Sequence, residues 1–146
     1  MAKFIFRLQP ILGLKEKIED LKKNEFGKAV ALLAMERQKK IEMEQLKADT
    51  IDGFRDSIKQ GINPDDIRQH NWYINKLKHM IEKQVQVIFR AEAHVEEKRA
   101  ELVEAMREKK TLETLKENEF EEYLEEEKRA EGKIVDEIVS YQSSRK

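Results

Sequence analysis

The side chains here that could move protons or hold a metal are histidines, carboxylates and amines, and their spacing favours neither task. His70, His79 and His94 are preceded three residues earlier by Ile67, Lys76 and Ala91, so the Glu-x-x-His pair that helical bundles use for di-iron sites does not occur. No Gly-rich, phosphate-cradling loop is present. Carboxylates are abundant, but acid–base catalysis needs a pair whose pKa values are driven apart in a desolvated pocket, and these carboxylates fall in runs that read as solvated helix faces. The sequence has no cysteine, which removes disulfides, thiolate ligands and thiol nucleophiles and fits a reducing compartment. These residues point away from an enzyme and call for no cofactor and no metal.

What positions such side chains must be long and thin. Of the 146 residues, 40% are charged, 39% hydrophobic and 7% aromatic, against roughly 25% charged and 45–50% apolar in an average soluble domain. That composition fills a narrow stripe rather than a thick core, and the expectation is an all-α chain, a single coiled-coil domain over residues 1–146. The 29 basic and 30 acidic side chains leave a net charge of −1, which disfavours a nucleic-acid binder. The longest apolar run, Ala29 to Met35, is far short of the roughly 20 residues that cross a bilayer. Lys3 and Arg7 interrupt any signal-peptide core. A soluble protein inside the cell is expected, one that reaches a membrane only through a partner.

Helix breakers set the boundaries. Pro10 and Gly13 lie near the start, Gly61-Ile62-Asn63-Pro64 is the one compact turn signal in the interior, and residues 65–131 contain neither Gly nor Pro. The first helix is expected over about 11–60, the turn at 61–63 and the second helix over about 64–140, with Asn63 as N-cap and Pro64, Asp65 and Asp66 suited to the first turn. Counting in sevens from Ile67 gives Ile74, Ile81, Ile88, Val95 and Leu102, with a companion track of His70, Leu77, Gln84, Ala91, Lys98, Ala105 and Leu112. This is a coiled-coil seam that fades at Lys109 and Lys116. In the first helix Ile11, Leu14, Ile18 and Leu21 keep the spacing, and the pattern slips near Gly27 before resuming at Ala29, Leu32 and Leu33.

A short turn makes the helices antiparallel, with facing residue numbers summing to about 125. Residues 1–60 carry 13 basic and 10 acidic side chains and residues 61–146 carry 16 and 20, so the arms attract. In that register everything after about Glu122 is a single-helix overhang, where Ile134, Ile138 and Tyr141, beside Val135 and Val139, form an apolar face that suits docking. Near the turn, Tyr73, Met80 and Val87 flank the seam, Trp72 points outward, and Phe54 sits opposite. They form either a second apolar strip or a broadened hairpin tip in which Phe54 packs with Ile51 and Ile58.

The opening Phe4-Ile5-Phe6-Arg7-Leu8-Gln9-Pro10-Ile11-Leu12 resembles the N-terminal signature of the FliJ family of flagellar type III protein export. Trp72-Tyr73-Ile74 with Leu77 and Ile81, and the stretch from Arg107 to Leu115, resemble the family's second helix. The resemblance implies an antiparallel two-helix coil similar to the central stalk of rotary ATPases. It further implies a rod that stands in the hexameric flagellar export ATPase, reaches the cytoplasmic domain of the large export-gate membrane protein, and acts as an export chaperone or as an escort of export chaperones at the cytoplasmic face of the inner membrane. Carried over, the gate-facing surface comprises Phe54, Trp72, Tyr73, Leu77 and Met80. The ATPase-facing surface comprises Phe4, Phe6, Arg7, Leu8, Gln9, Ile134, Ile138 and Tyr141. The alternative for the same features is a structural coiled-coil scaffold or peripheral-stalk subunit that dimerises through its exposed apolar stripes.

Overall fold

A computed structural model describes residues 3–145. Among them are two elements, α1 (Gln9–Lys59) and α2 (Pro64–Ser144), and no strand. The helices pack antiparallel: Phe54 faces His70, Lys22 faces Glu101, Lys15 faces Glu108 and Phe4 faces Phe120. These paired numbers sum to 123 or 124, close to the register expected from the turn.

Local chemistry explains the helix ends. α1 begins two residues before Ile11, because Pro10 falls in the first turn, where its missing N–H would be unpaired anyway. The Gln9 N–H donates to the Phe6 carbonyl at 3.1 Å and the Leu12 N–H to that of Leu8 at 2.9 Å. α1 is stopped by Gly61, whose φ of 87° is the left-handed conformation of a helix C-cap. Its N–H donates to the Ile58 carbonyl at 3.1 Å. Gly61→Ala is expected to cost about 1 kcal/mol, the penalty of a Cβ in that conformation, measurable as a lower urea midpoint with an unchanged m-value. At the start of α2 the Asn63 carbonyl accepts from the Asp66 N–H at 3.1 Å, and the Asp66 carboxylate accepts the Asn63 N–H at 3.4 Å. Asn63 thus stands at the N-cap position as expected, its carbonyl also accepting from the Ile67 N–H at 3.4 Å, and the Asp66 carboxylate supplies the N3 half of a capping box.

The chain divides into two compact units, Lys22–Leu102 and Met1–Leu21 with Val103–Lys146. In the Lys22–Leu102 unit, Ala29, Leu33, Ala91 and Val95 form the core, with Phe26 and Ile88 against it. Leu77 is 2% exposed. The seam is partly polar. Gln84 Nε2 donates to the Glu36 carbonyl at 2.8 Å and to its carboxylate at 2.6 Å, all three groups being enclosed. Below them Lys22, Glu25, Lys98 and Glu101 alternate in charge, with Nζ–carboxylate distances of 3.2–3.6 Å.

Two of these carboxyls titrate low. The hydrogen bond from Gln84 lowers the pKa of Glu36, against the opposing effect of burial and with help from Lys39. The bond from Lys98, followed by Lys22, does the same for Glu101. A carboxyl whose pKa is depressed by folding stabilises the fold above its unfolded value, about 4.3, and loses that contribution as pH falls through the folded value. The melting temperature is therefore expected to drop as pH is lowered from about 5 toward 3, and Glu36→Gln should shallow that acid limb.

In the other unit Phe6, Leu12 and Ala105 are buried. The aliphatic stripe expected to form the seam lies outside it: Ile11, Leu14 and Leu21 are about half exposed. The enclosed positions are one residue further on, at Leu12, Lys15 and Glu19. In the neighbouring unit the enclosed residues Phe26, Ala29, Leu33 and Glu36 follow the same sevenfold count, so the expected slip near Gly27 is absent. Nor does the seam fade at Lys109 and Lys116. It turns polar instead: Lys109 Nζ lies 2.8 Å from the buried Glu19 carboxylate, Lys116 Nζ donates to Gln9 Oε1 at 2.7 Å, and Lys15 pairs with Glu108 at 2.8 Å. Beyond Glu127 every described residue of α2 is exposed.

Candidate protein-docking surfaces

The surfaces with unspent chemistry are the flanks of the hairpin tip, the N-terminal strand-like segment and the end of α2. Among the described residues no group of three or more metal-binding side chains converges, and no described helix is long and apolar enough to cross a membrane. What these surfaces offer is exposed apolar area beside charge, which is the chemistry of protein docking.

At the tip, the ring of Phe54 stacks on His70 with centroids 3.7 Å apart and planes within 5°. Both rings are half-buried, so they close the end of the seam and hold the turn. Leu77 lies deep in that seam and Tyr73 is half-buried beside it. Trp72 is different. It is 65% exposed on the outer face of α2, with the Lys76 ammonium 5.2 Å from its ring. Trp72, Asn75, Lys76, His79 and Lys83 line one shallow groove, and Met80, next to His79 in the chain, is 40% exposed. The residues named from the sequence therefore divide: Trp72 and Met80 face outward, Tyr73 lies between, and Phe54 and Leu77 support them from within.

The N-terminal segment alternates like a strand. Phe6 is buried and Phe4 half-buried, whereas Ile5 and Arg7 point outward and Leu8 is half-buried. Phe4 packs edge-on against Phe120 at 5.2 Å and against Tyr123 at 5.5 Å, joining the segment to α2. Burial in this cluster, and then Glu127, raises the Tyr123 pKa. Phe4 and Phe6 thus work chiefly as a clasp, Gln9 is held by Lys116, and the outward chemistry falls to Arg7 and to Ile5. Sequence reasoning passed over Ile5, although the alternation Phe4-Ile5-Phe6 was a signal that one of the three must face away.

On the end of α2, Ile134, Ile138 and Tyr141 recur at helical spacing, each more than half exposed, with Val135 and Val139 equally bare beside them. The Arg145 guanidinium lies 5.3 Å from the Tyr141 ring. Nothing in the described chain covers this face. Phe89, at 69% the most exposed aromatic of α2, was also missed, because a lone Phe off the seam carries no periodic signal.

No curated protein matches the sequence. The solved structure of a protein from Chlamydia trachomatis, described as a YscO homolog, aligns with a TM-score of 0.68 over 97% of this chain and 96% of that one. At 23% identity this likeness establishes the two-helix fold alone. The family model described as Flagellar FliJ protein matches residues 4–146, nearly the whole chain. With that match over the N-terminal clasp, both helices and the bare end of α2, the chain belongs to the FliJ family and is a flagellar, type III export component.

Proposed function

We propose that this chain is the non-catalytic stalk of the flagellar export apparatus, joining the hexameric export ATPase to the cytoplasmic domain of the membrane export gate and escorting export chaperones. In this reading it works at the cytoplasmic face of the inner membrane. The observation that carries the proposal is the apolar strip of Ile134, Val135, Ile138, Val139 and Tyr141, bare on the stretch of α2 beyond Glu127, where every described residue is exposed. Leaving such a strip in water has no structural benefit to the chain itself, and burying it in a partner recovers about 25 cal/mol per Å² of apolar surface.

The ATPase-facing surface comprises Ile134, Ile138, Tyr141, Arg7 and the outward edge of Leu8 and Gln9, with Phe4 and Phe6 holding the segment in place. The gate-facing surface comprises Trp72 and Met80, with Tyr73 at their edge and Phe54 and Leu77 supporting them. Lys76 and Lys83 beside Trp72 give that groove a positive character suited to an acidic segment of the gate.

Co-purification with the export ATPase tests the proposal. One chain is expected per hexameric ring, with faster ATP hydrolysis in its presence. A chain that leaves hydrolysis unchanged and instead self-associates with rising concentration would point to the scaffold alternative.

A further inference from the structure

We infer that in the unit of Met1–Leu21 with Val103–Lys146 the helix α1 has two competing packing faces, and that the enclosed Glu19–Lys109 ion pair selects between them. The selected face presents Leu12, Lys15 and Glu19 to α2. The rejected face carries Ile11, Leu14, Ile18 and Leu21, spaced three, four and three residues apart, which is itself a coiled-coil pattern. The two are offset by one residue, about 100° of rotation about the helix axis.

Judged by apolar content alone the choice is inverted. The rejected face holds four aliphatic side chains and the selected one holds a single leucine, yet Leu14 and Leu21 are each 55% exposed while Glu19 is 4% exposed. On the opposing surface of α2, the buried Ala105 and half-buried Leu112 carry nothing that prefers Glu19 over an aliphatic side chain. Lys109 does. Its Nζ lies 2.8 Å from the Glu19 carboxylate and 3.7 Å from that of Glu113. Turning α1 by one residue would withdraw Glu19 and set Ile18 against the ammonium. Lys15 with Glu108 and Lys116 with Gln9 would be pulled apart in the same motion.

A buried ion pair is a poor source of net stability, and its best-attested use is to fix register. Glu19 is in this sense a positioning residue: it keeps Ile11, Leu14 and Leu21 outside, where a partner can reach them, with Ile18 half-buried at the edge of the stripe. Removing it leaves a helix whose local preference and observed packing disagree.

Because the sequence has no cysteine, single cysteines report the phase of α1 directly. Leu14→Cys and Leu12→Cys are each placed in the otherwise unchanged chain, in Glu19→Ala, in Glu19→Leu, and in the double change Glu19→Ala with Lys109→Leu, and thiol labelling is timed alongside circular dichroism. In the unchanged chain Cys labelling at position 14 should be fast and at position 12 slow. With Glu19→Ala and with the double change the order should reverse, position 14 slowing and position 12 quickening by about tenfold each. Glu19→Leu, which makes the selected face apolar, should keep the original order. The double change removes both charges and so leaves no buried ion unpaired, which keeps the test decisive if Glu19→Ala alone loses helix content. The original order persisting in the folded double variant, or the same reversal in Glu19→Leu, would overturn the inference.

Discussion

Deletion of residues 133–146 is expected to abolish stimulation of the export ATPase while leaving the remaining helices folded. The two halves of that result have separate causes. From Lys128 to Arg145 no side chain is even partly enclosed, so the segment contributes almost no packing, and stability should change by less than about 0.5 kcal/mol. Binding should respond very differently, because the deletion removes five exposed apolar side chains at once and an anchor cluster of that kind dominates interface energetics. A milder form of the experiment is Ile138→Asp, which places a charge in the middle of the strip without shortening the helix. It should lower ATPase affinity by at least about tenfold, or 1.4 kcal/mol. Undiminished stimulation by the truncated chain would remove the case for that surface.

The second large effect separates two residues that the family resemblance placed together at the gate-facing surface. Trp72→Ala is expected to weaken binding to the gate's cytoplasmic domain by about 2 kcal/mol or more, roughly thirtyfold, with little change in melting temperature. Its indole is the largest apolar group lining the groove and is 65% exposed. Leu77→Ala should do the reverse. With its side chain 2% exposed in the seam, truncation removes packed methyl groups and leaves a cavity, a loss of about 2–5 kcal/mol in stability. Any effect of Leu77→Ala on binding would then track the fraction folded. Isothermal titration beside urea melts of both variants checks the pair. Equal effects of the two substitutions on affinity at full helicity would mean that the groove is misassigned.

The turn, both helices and the phase of the α2 seam were legible in the sequence because each is written in side chains whose roles hardly overlap. Gly61 supplies a positive φ, Pro64 suits a first helical turn, and Ile74, Leu77, Ile81 and Ile88 keep the sevenfold count on either side of Gln84. The bare end of α2 was legible for the same reason, since register arithmetic left Ile134, Ile138 and Tyr141 with nothing to face. The phase of α1 was not. Its seam is filled by Lys15, Glu19, Lys22 and Glu36, residues that hydropathy assigns to solvent, and each is held there by a specific partner: Glu108, Lys109, Glu101 and Gln84. Periodicity ranks faces by apolarity and cannot register a pairwise bond across 50 to 100 residues of sequence.

The same limit applies to the candidate surfaces. Hydrophobic residues near a turn can be gathered from the sequence, but which of them point outward depends on a seam geometry that only packing reveals. Phe54 spends its ring on His70, and Phe4 spends its ring on Phe120 and Tyr123. What remains for partners is narrower than the sequence suggested. Trp72 and Met80 remain at one surface, and Arg7, Ile134, Ile138 and Tyr141 at the other.

That two chemically distinct surfaces meet two different partners is tested most directly by site-specific photocrosslinking in assembled export complexes, with the crosslinker placed at Tyr141 in one sample and at Trp72 in another. The expected result is a crosslink from position 141 to the export ATPase and from position 72 to the gate protein. Crosslinks from both positions to the same partner, or from both only to a second copy of this chain, would contradict the account.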